Sequence, residues 1–248
     1  MKKFRADLHL HTVLSPCGDL DMSPTRLLEQ AHLMGLKIIG ITDHNSTRHA
    51  RLVRELAAKK DIFTLCGAEV TSKEEAHLLC FMPDDEKLEE LQKFISQNLQ
   101  KVVNKPRLFG EQLLVNEQEE ILEEEEYLLI NAIDKDVNEI QEFVEMNGGI
   151  FIPAHIDRQA FSLVSQLGFV PPDLKFDALE ISKYSTLEQI LLQFPYLSES
   201  TFIRSSDAHY INDIGSGYTH FYLKERSFEE IKMALRKEDG RYCQIPES

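Results

Sequence analysis

The sequence predicts an α/β fold, a barrel of alternating strands and helices, on three observations. Strand-like and helix-like segments alternate through most of the 248 residues, a pattern that implies a parallel sheet. Histidines and acids recur where short apolar runs end: Asp7-Leu8-His9-Leu10-His11-Thr12, Thr42-Asp43-His44, Gly67-Ala68-Glu69, Ala76-His77, Pro153-Ala154-His155 and Ser206-Asp207-Ala208-His209. Nearly every strand contributes such a group. A closed ring displays them at its C-terminal mouth, where barrel active sites are built, whereas an open doubly wound sheet gathers its ligands at one crevice.

Lys3–His9 reads as the first strand. Ser23-Pro24 then supplies an N-cap and a first-turn proline, Leu27, Leu28, Ala31 and Met34 an apolar helical face, and Gly35 a stop. Lys37–Thr42 is a β-branched strand, followed by a helix over about 47–60. Ile62–Leu65 leads to Glu69, Ala76–Met82 is a fourth strand, and a helix starts from Asp84. Gly149–Pro153, Phe176–Ile181 and Phe202–Ser205 read as strands five to seven. Tyr218–Leu223 is a last strand before a helix capped by Ser227. Residues 104–147 are read as a helical insert within a single domain spanning 1–248. Its acidic stretch Glu117–Glu126 predicts a solvated helix face, with a substrate-selecting lid as the sharper alternative.

Composition narrows the function. Lys and Arg number 27 against 42 Asp and Glu, a formal charge of −15. That argues against a broad nucleic-acid surface, but not against a small phosphate substrate, since bound divalent ions make a site locally positive. The four cysteines (Cys17, Cys66, Cys80, Cys243) form no Cys-x-x-Cys pair, which fits a reduced, cytoplasmic setting. The Met-Lys-Lys start precedes no apolar signal core, and no run approaches membrane-spanning length.

Imidazole and carboxylate are the side chains that hold zinc, manganese or iron. Two histidines at i and i+2 on a strand share a face, so His9 and His11 can bind one ion together. Alone the pair is a weak signal. In this order and spacing the motifs resemble the PHP (polymerase and histidinol phosphatase) family of metal-dependent phosphoesterases.

The resemblance implies a distorted TIM-like barrel of seven strands, of PHP type, with two or three divalent ions (Zn, Mn or Fe) at its mouth. It implies that His9, His11, Glu69 and Asp207 hold a first ion, that Glu69 bridges to a second completed by His77 and His155, and that His44 and His209 serve a third. Glu69, Asp207 and His209 become the candidate catalytic residues. The remaining ligand of the third ion is left between Cys17 and Asp19, with Asp21 behind them. Asp7 and Asp43 are expected to fix ligand imidazoles or to pair with a backbone donor, Glu180 to fix an imidazole or to be a buried structural acid, and Arg158, Arg204 and Lys183 to grip a phosphate or to form surface salt bridges. His32, His49 and His220 read as structural, His49 being the one nearest the site.

The function expected from this set is hydrolysis of a small phosphate ester or nucleotide by attack of a metal-bridging hydroxide, with no membrane and no stable nucleic-acid partner. A metal-dependent exonuclease on single-stranded nucleic acid and a non-catalytic metal-binding regulatory module are the alternatives.

Overall fold

The computed structural model describes residues 1–246. In chain order the strands are β1 (Lys2–Leu10), β2 (Ile38–Ile41), β3 (Phe63–Thr71), β4 (His77–Met82), β5 (Leu113–Val115), β6 (Ile121–Glu124), β7 (Ile150–Pro153), β8 (Leu179–Ile181), β9 (Phe202–Arg204), β10 (Thr219–Leu223) and β11 (Tyr242–Gln244). The helices are α1 (Pro24–Leu33), α2 (Ala50–Ala58), α3 (Asp85–Asn98), α4 (Pro106–Phe109), α5 (Val137–Met146), α6 (Leu163–Leu167), α7 (Leu187–Gln193) and α8 (Phe228–Leu235). No helix among the described residues is long and apolar enough to cross a membrane.

The main sheet has the order β11-β10-β1-β2-β3-β4-β7, and β8-β9 form a separate parallel pair. Two seams curl these pieces into a distorted TIM-like barrel. Past β9, Ala208 bridges Leu10, with the His11 N–H donating to the Ala208 carbonyl at 3.1 Å. On the other side the Ile156 N–H donates to the Glu180 carbonyl at 2.9 Å. One apolar cluster, including Leu8, Ile38, Leu65, Phe81, Ile152, Ile203 and Phe221, draws on strands all round the curl and fills its inside, with α8 packed against it. A larger cluster, including Leu27, Val53, Leu91 and Ile140, lies between the strands and α1, α2, α3 and α5.

The sheet is mixed, not parallel as expected. β4 runs antiparallel to both β3 and β7, and β10 antiparallel to β1. The reason is chain length: only residues 72–76 separate β3 from β4, a hairpin's span, while a parallel crossover needs a dozen residues or more.

The expected helical insert is also corrected. Past the single turn of α4, β5 and β6 pair as a hairpin, and α5 belongs to the barrel wall against β7. The acidic stretch is the hairpin's outer edge, not a helix face: every residue of β6 is exposed, and Glu123 and Glu125 pair with Arg48. The hairpin is fastened to the loop after β1. The Leu113 N–H donates to the Val13 carbonyl at 3.1 Å, and Ser23, instead of capping α1 with its side chain, donates its hydroxyl to Glu119 at 2.6 Å. At Gly110, with φ +98°, an added Cβ would lie 1.8 Å from the Pro16 carbonyl oxygen, so only glycine permits this approach.

Candidate metal centre and active site

The barrel gathers the predicted ligands at one mouth. His9 lies in β1 beside a register shift between Asp7 and Leu10, and His11 just beyond it. His44 follows β2, Glu69 lies near the end of β3, His155 follows β7, and Asp207 and His209 follow β9. His77 reaches the mouth another way. It opens antiparallel β4, directly opposite Thr71 at the end of β3, so it begins an apolar run instead of ending one.

Hydrogen bonding fixes which nitrogens face the cluster. His9 Nδ1 lies 2.9 Å from Glu180 Oε2, a carboxylate that can only accept, so Nδ1 carries the proton. His11 Nδ1 lies 2.9 Å from Ser15 Oγ. That hydroxyl already donates to Asp43 Oδ1 at 2.8 Å, so here too Nδ1 is the donor. With Nδ1 turned to these partners, both Nε2 atoms face the cluster, where they meet 3.1 Å apart. Asp207 Oδ1 stands 3.3 Å from each.

Glu69 is the centre of the set. Its Oε1 lies 3.2 Å from His9, 2.9 Å from His77 and 3.2 Å from His155, and its Oε2 lies 3.4 Å from His11 and 3.1 Å from His44. The ligating atoms form three close groups: His9, His11, Glu69 and Asp207; His44, Glu69 and His77; and His11, His44 and His209. Glu69 is 1% exposed, and its Oε2, Asp207 Oδ1 and His44 Nδ1 are buried with no hydrogen-bond partner, while His155 faces Glu69 through Nε2. Buried polar atoms are nearly always paired. Converging unpaired lone pairs of nitrogen and oxygen are what a divalent cation satisfies, so this donor set fits zinc, manganese or iron.

The protonation equilibria reflect the same crowding. Burial opposes a charge on His9, but Glu69, Glu180 and Asp207 outweigh it and hold its pKa well above the ordinary value. Burial and the neighbouring imidazoles of His11, His77 and His209 push His44 well below it, against the pull of Glu69. Burial, joined by His11, lowers His209 to about 4. For Glu69 the surrounding imidazoles overcome burial and keep the carboxylate ionised.

The other candidates divide. Glu180 bonds His9 directly and accepts from the His155 N–H at 3.1 Å. Asp43 acts one step back, through Ser15, and also accepts from the Thr12 N–H and hydroxyl. Asp7 touches no imidazole; it accepts the N–H groups of Ser206 and Gly215, each at 2.9 Å, and so holds the chain before Asp207. Burial raises the Asp7 carboxyl to about 6. Cys17 lines the cavity but joins none of the three groups. Asp19 joins none either; its carboxylate accepts from the Asp21 N–H in a local turn.

Arg158 reaches Asp207 Oδ2 at 2.6 Å and lines the mouth. Arg204 and Lys183 do not, which corrects their expected place. Arg204 bonds the Ser185 carbonyl, and Lys183 bonds Asp213 and Ser216. As the last residue of its strand, Arg204 alternates outward from buried Ile203.

Sequence reading missed Ser15, Asn45, Ile130 and Phe161. Asn45, directly after His44, spans three backbone groups: its amide donates to the Leu129 and Asn131 carbonyls and accepts the Thr71 N–H. Asn45, His155, Phe161 and Asp207 all have positive φ, at 46°, 28°, 58° and 51°. Such conformations cost of order 1 kcal/mol each for non-glycine residues and cluster at functional sites. The cavity above the cluster measures about 240 Å³.

Comparison with known proteins agrees with this geometry. Residues 7–153 match the PHP domain family and residues 201–239 a PHP-associated region. The uncharacterized protein YqxK of Bacillus subtilis is 25% identical over 97% of this chain and 64% of its own length. The lesion-specific endonuclease PfuEndoQ of Pyrococcus furiosus has the same fold, with a TM-score of 0.75 at 19% identity over 98% of this chain and 58% of that one. Endonuclease Q in complex with a 27-mer duplex, an abasic lesion at its active site, gives 0.70 at 19% identity over 97% and 58%. The chain therefore spans about three-fifths of the length of these relatives. The Endonuclease Q complex overturns the expectation of no nucleic-acid partner, because that protein, which shares this fold, holds a duplex with an abasic lesion at its own active site. Net charge averages the whole surface, whereas binding depends on the potential at one mouth.

Proposed function

The chain belongs to the PHP domain family, and from that premise we propose that it is a metal-dependent nuclease, hydrolysing a phosphodiester of nucleic acid at the mouth of its barrel. The observation that carries this reading is the cluster of unpaired imidazole and carboxylate lone pairs, centred on Glu69, in a fold shared with Endonuclease Q.

In this reading two or three zinc, manganese or iron ions are held by the three groups: His9, His11, Glu69 and Asp207; Glu69, His44 and His77 with His155 beside them; and His11, His44 and His209. Bound there, such ions supply positive charge for phosphate oxygens and lower the pKa of water. Glu180 and Ser15 keep His9 and His11 in the tautomer that presents Nε2. Arg158, half in solvent and beside Asp207, offers a guanidinium to the phosphate. Glu69, Asp207 and His209 remain the residues assigned to the chemistry. Unpaired Cys17, Cys66, Cys80 and Cys243 support a reducing, cytoplasmic setting.

A second reading, hydrolysis of a small phosphate ester, draws support from the modest cavity of about 240 Å³. One panel separates the two. Purified protein is incubated with manganese, zinc or EDTA and given single-stranded, duplex and abasic oligonucleotides beside nucleoside and sugar phosphates. Metal-dependent scission of an oligonucleotide, absent in Glu69→Gln, is the expected result. Phosphate release from small esters with every oligonucleotide intact would replace the nuclease reading, and inactivity with metal bound would leave a binding module.

A further inference from the structure

Phe161 sits where folding alone would not put it. It is 45% exposed and has φ +58°, in the left-handed region that a bulky side chain avoids. Among the described residues, the other non-glycine residues with positive φ are Asn, Asp, Glu, His or Lys. Its backbone is held on both sides. The Phe161 carbonyl accepts the His77 N–H at 2.9 Å, and the next residue, Ser162, caps α6 and donates its hydroxyl to the Arg158 carbonyl at 2.8 Å. The strain is thus imposed by fixed anchors.

The ring this conformation presents lies parallel to His77, with centroids 4.9 Å apart and planes 14° from each other, and it lines the cavity. Ile130 lines the same cavity from the insert, held there by the Asn45 amide bonds to its two neighbours. A strained aromatic and an aliphatic side chain, on two separately anchored segments, therefore border an otherwise polar site. Arg158 stands in the same loop as Phe161.

We propose that Phe161 and Ile130 form a stacking subsite that receives one nucleobase beside the phosphodiester to be cut. The proposal rests on the nuclease reading and deepens it. A flat π face next to a phosphate-binding cation suits a nucleotide, since every base offers a π face and enzymes that take up displaced bases hold them between aromatic and apolar side chains. The subsite reads shape and not base identity, because no polar group of Phe161 or Ile130 faces the ligand.

The test uses the full chain, an oligonucleotide carrying 2-aminopurine, and calcium to permit binding, with cleavage followed separately in manganese. Phe161→Gly should lower oligonucleotide affinity by about 5- to 150-fold, the range of one base–aromatic stack. It should also abolish the change in 2-aminopurine fluorescence, keep the parent's metal content and raise Tm, because glycine adopts φ +58° without strain. Phe161→Tyr should keep both affinity and fluorescence change. A glycine variant that binds and quenches like the parent overturns the subsite. So does one that loses metal together with affinity, since the ring would then serve only to support His77. Parent cleavage judges the nuclease reading independently: a parent that stacks the base without cutting loses the hydrolysis and keeps the subsite, and one that cuts equally well without Phe161 does the reverse.

Discussion

The mouth of the barrel and the seam beneath the insert both bury a histidine behind Asp43, and their two chains of hydrogen bonds finish differently. Asp43 accepts from Ser15 and from Thr12. Ser15 then accepts from His11 Nδ1, and Thr12 from His49 Nδ1 at 2.7 Å, so both imidazoles take the same tautomer. His49 Nε2 is met by the Val115 N–H at 2.9 Å, and the chain closes on the protein's own backbone. His11 Nε2 instead meets the Nε2 of His9 and two carboxylates. A buried histidine with both nitrogens satisfied belongs to the fold. One whose free nitrogen converges on other acceptors is built for a cation. Residue type and burial do not distinguish the two; the terminus does.

The strongest way to break this distinction is at Glu69. Glu69→Gln keeps the shape and removes the charge that five imidazoles surround, so metal content and hydrolysis should both be lost. Because a bound ion stabilises only the folded state, EDTA should lower the parent's Tm and leave the variant's unchanged. Full metal stoichiometry in the variant, measured by elemental analysis, would take Glu69 out of the centre.

A smaller loss is expected one bond further out. Glu180→Gln can present its N–H to His9 Nδ1 and turn the ring's free nitrogen away from the cluster, and such changes typically cost about 10- to 100-fold in metal affinity or rate. Ser15→Ala should cost less, roughly tenfold or under, since His11 keeps the neighbours of its Nε2 and loses only the bond that orients it. Ser15→Thr should restore most of that loss. Metal titrations of the three proteins give the order directly; a Ser15 effect exceeding that of Glu180 would reverse the hierarchy.

Much of this site was legible in the sequence because ligands at strand ends carry a local signature. His9-Leu10-His11 and Asp207-Ala208-His209 keep their spacing whatever the strand order, so their convergence followed from an α/β alternation alone. The direction of β4 was also within reach, since residues 72–76 are too few for a crossover, yet alternation suggested a parallel strand. The insert failed for a different reason. Glu-rich runs favour helix, and the pairing that makes Ile121–Glu124 a strand comes from Leu113–Val115 and from docking onto Val13, contacts that no periodicity encodes. Arg204 and Lys183 show the limit for phosphate ligands: proximity in sequence to a strand end does not set the side chain's direction, and one residue of phase turned Arg204 outward.

His49→Ala should leave the metal centre untouched and so give the smallest effect on activity, while still being felt by the fold. Removing the imidazole strands the buried Val115 N–H, while Thr12 keeps its bond to Asp43, a loss of about 1–3 kcal/mol, visible as a lower Tm at full metal content and unchanged rate. The pH dependence has a definite sign. Burial, with Arg48 adding to it and Asp43 opposing, holds His49 below its ordinary pKa. Above about pH 6.5 the ring is neutral both folded and unfolded and contributes no slope. As pH falls below that value the unfolded chain takes up a proton that the folded chain resists, and the parent loses stability that the alanine variant, having no ring, does not. The Tm difference between parent and variant should therefore narrow from about pH 7.5 towards pH 5. A difference that widens on acidification would mean that His49 is stabilised as a cation, and the contrast between the seam and the mouth would have to be drawn elsewhere.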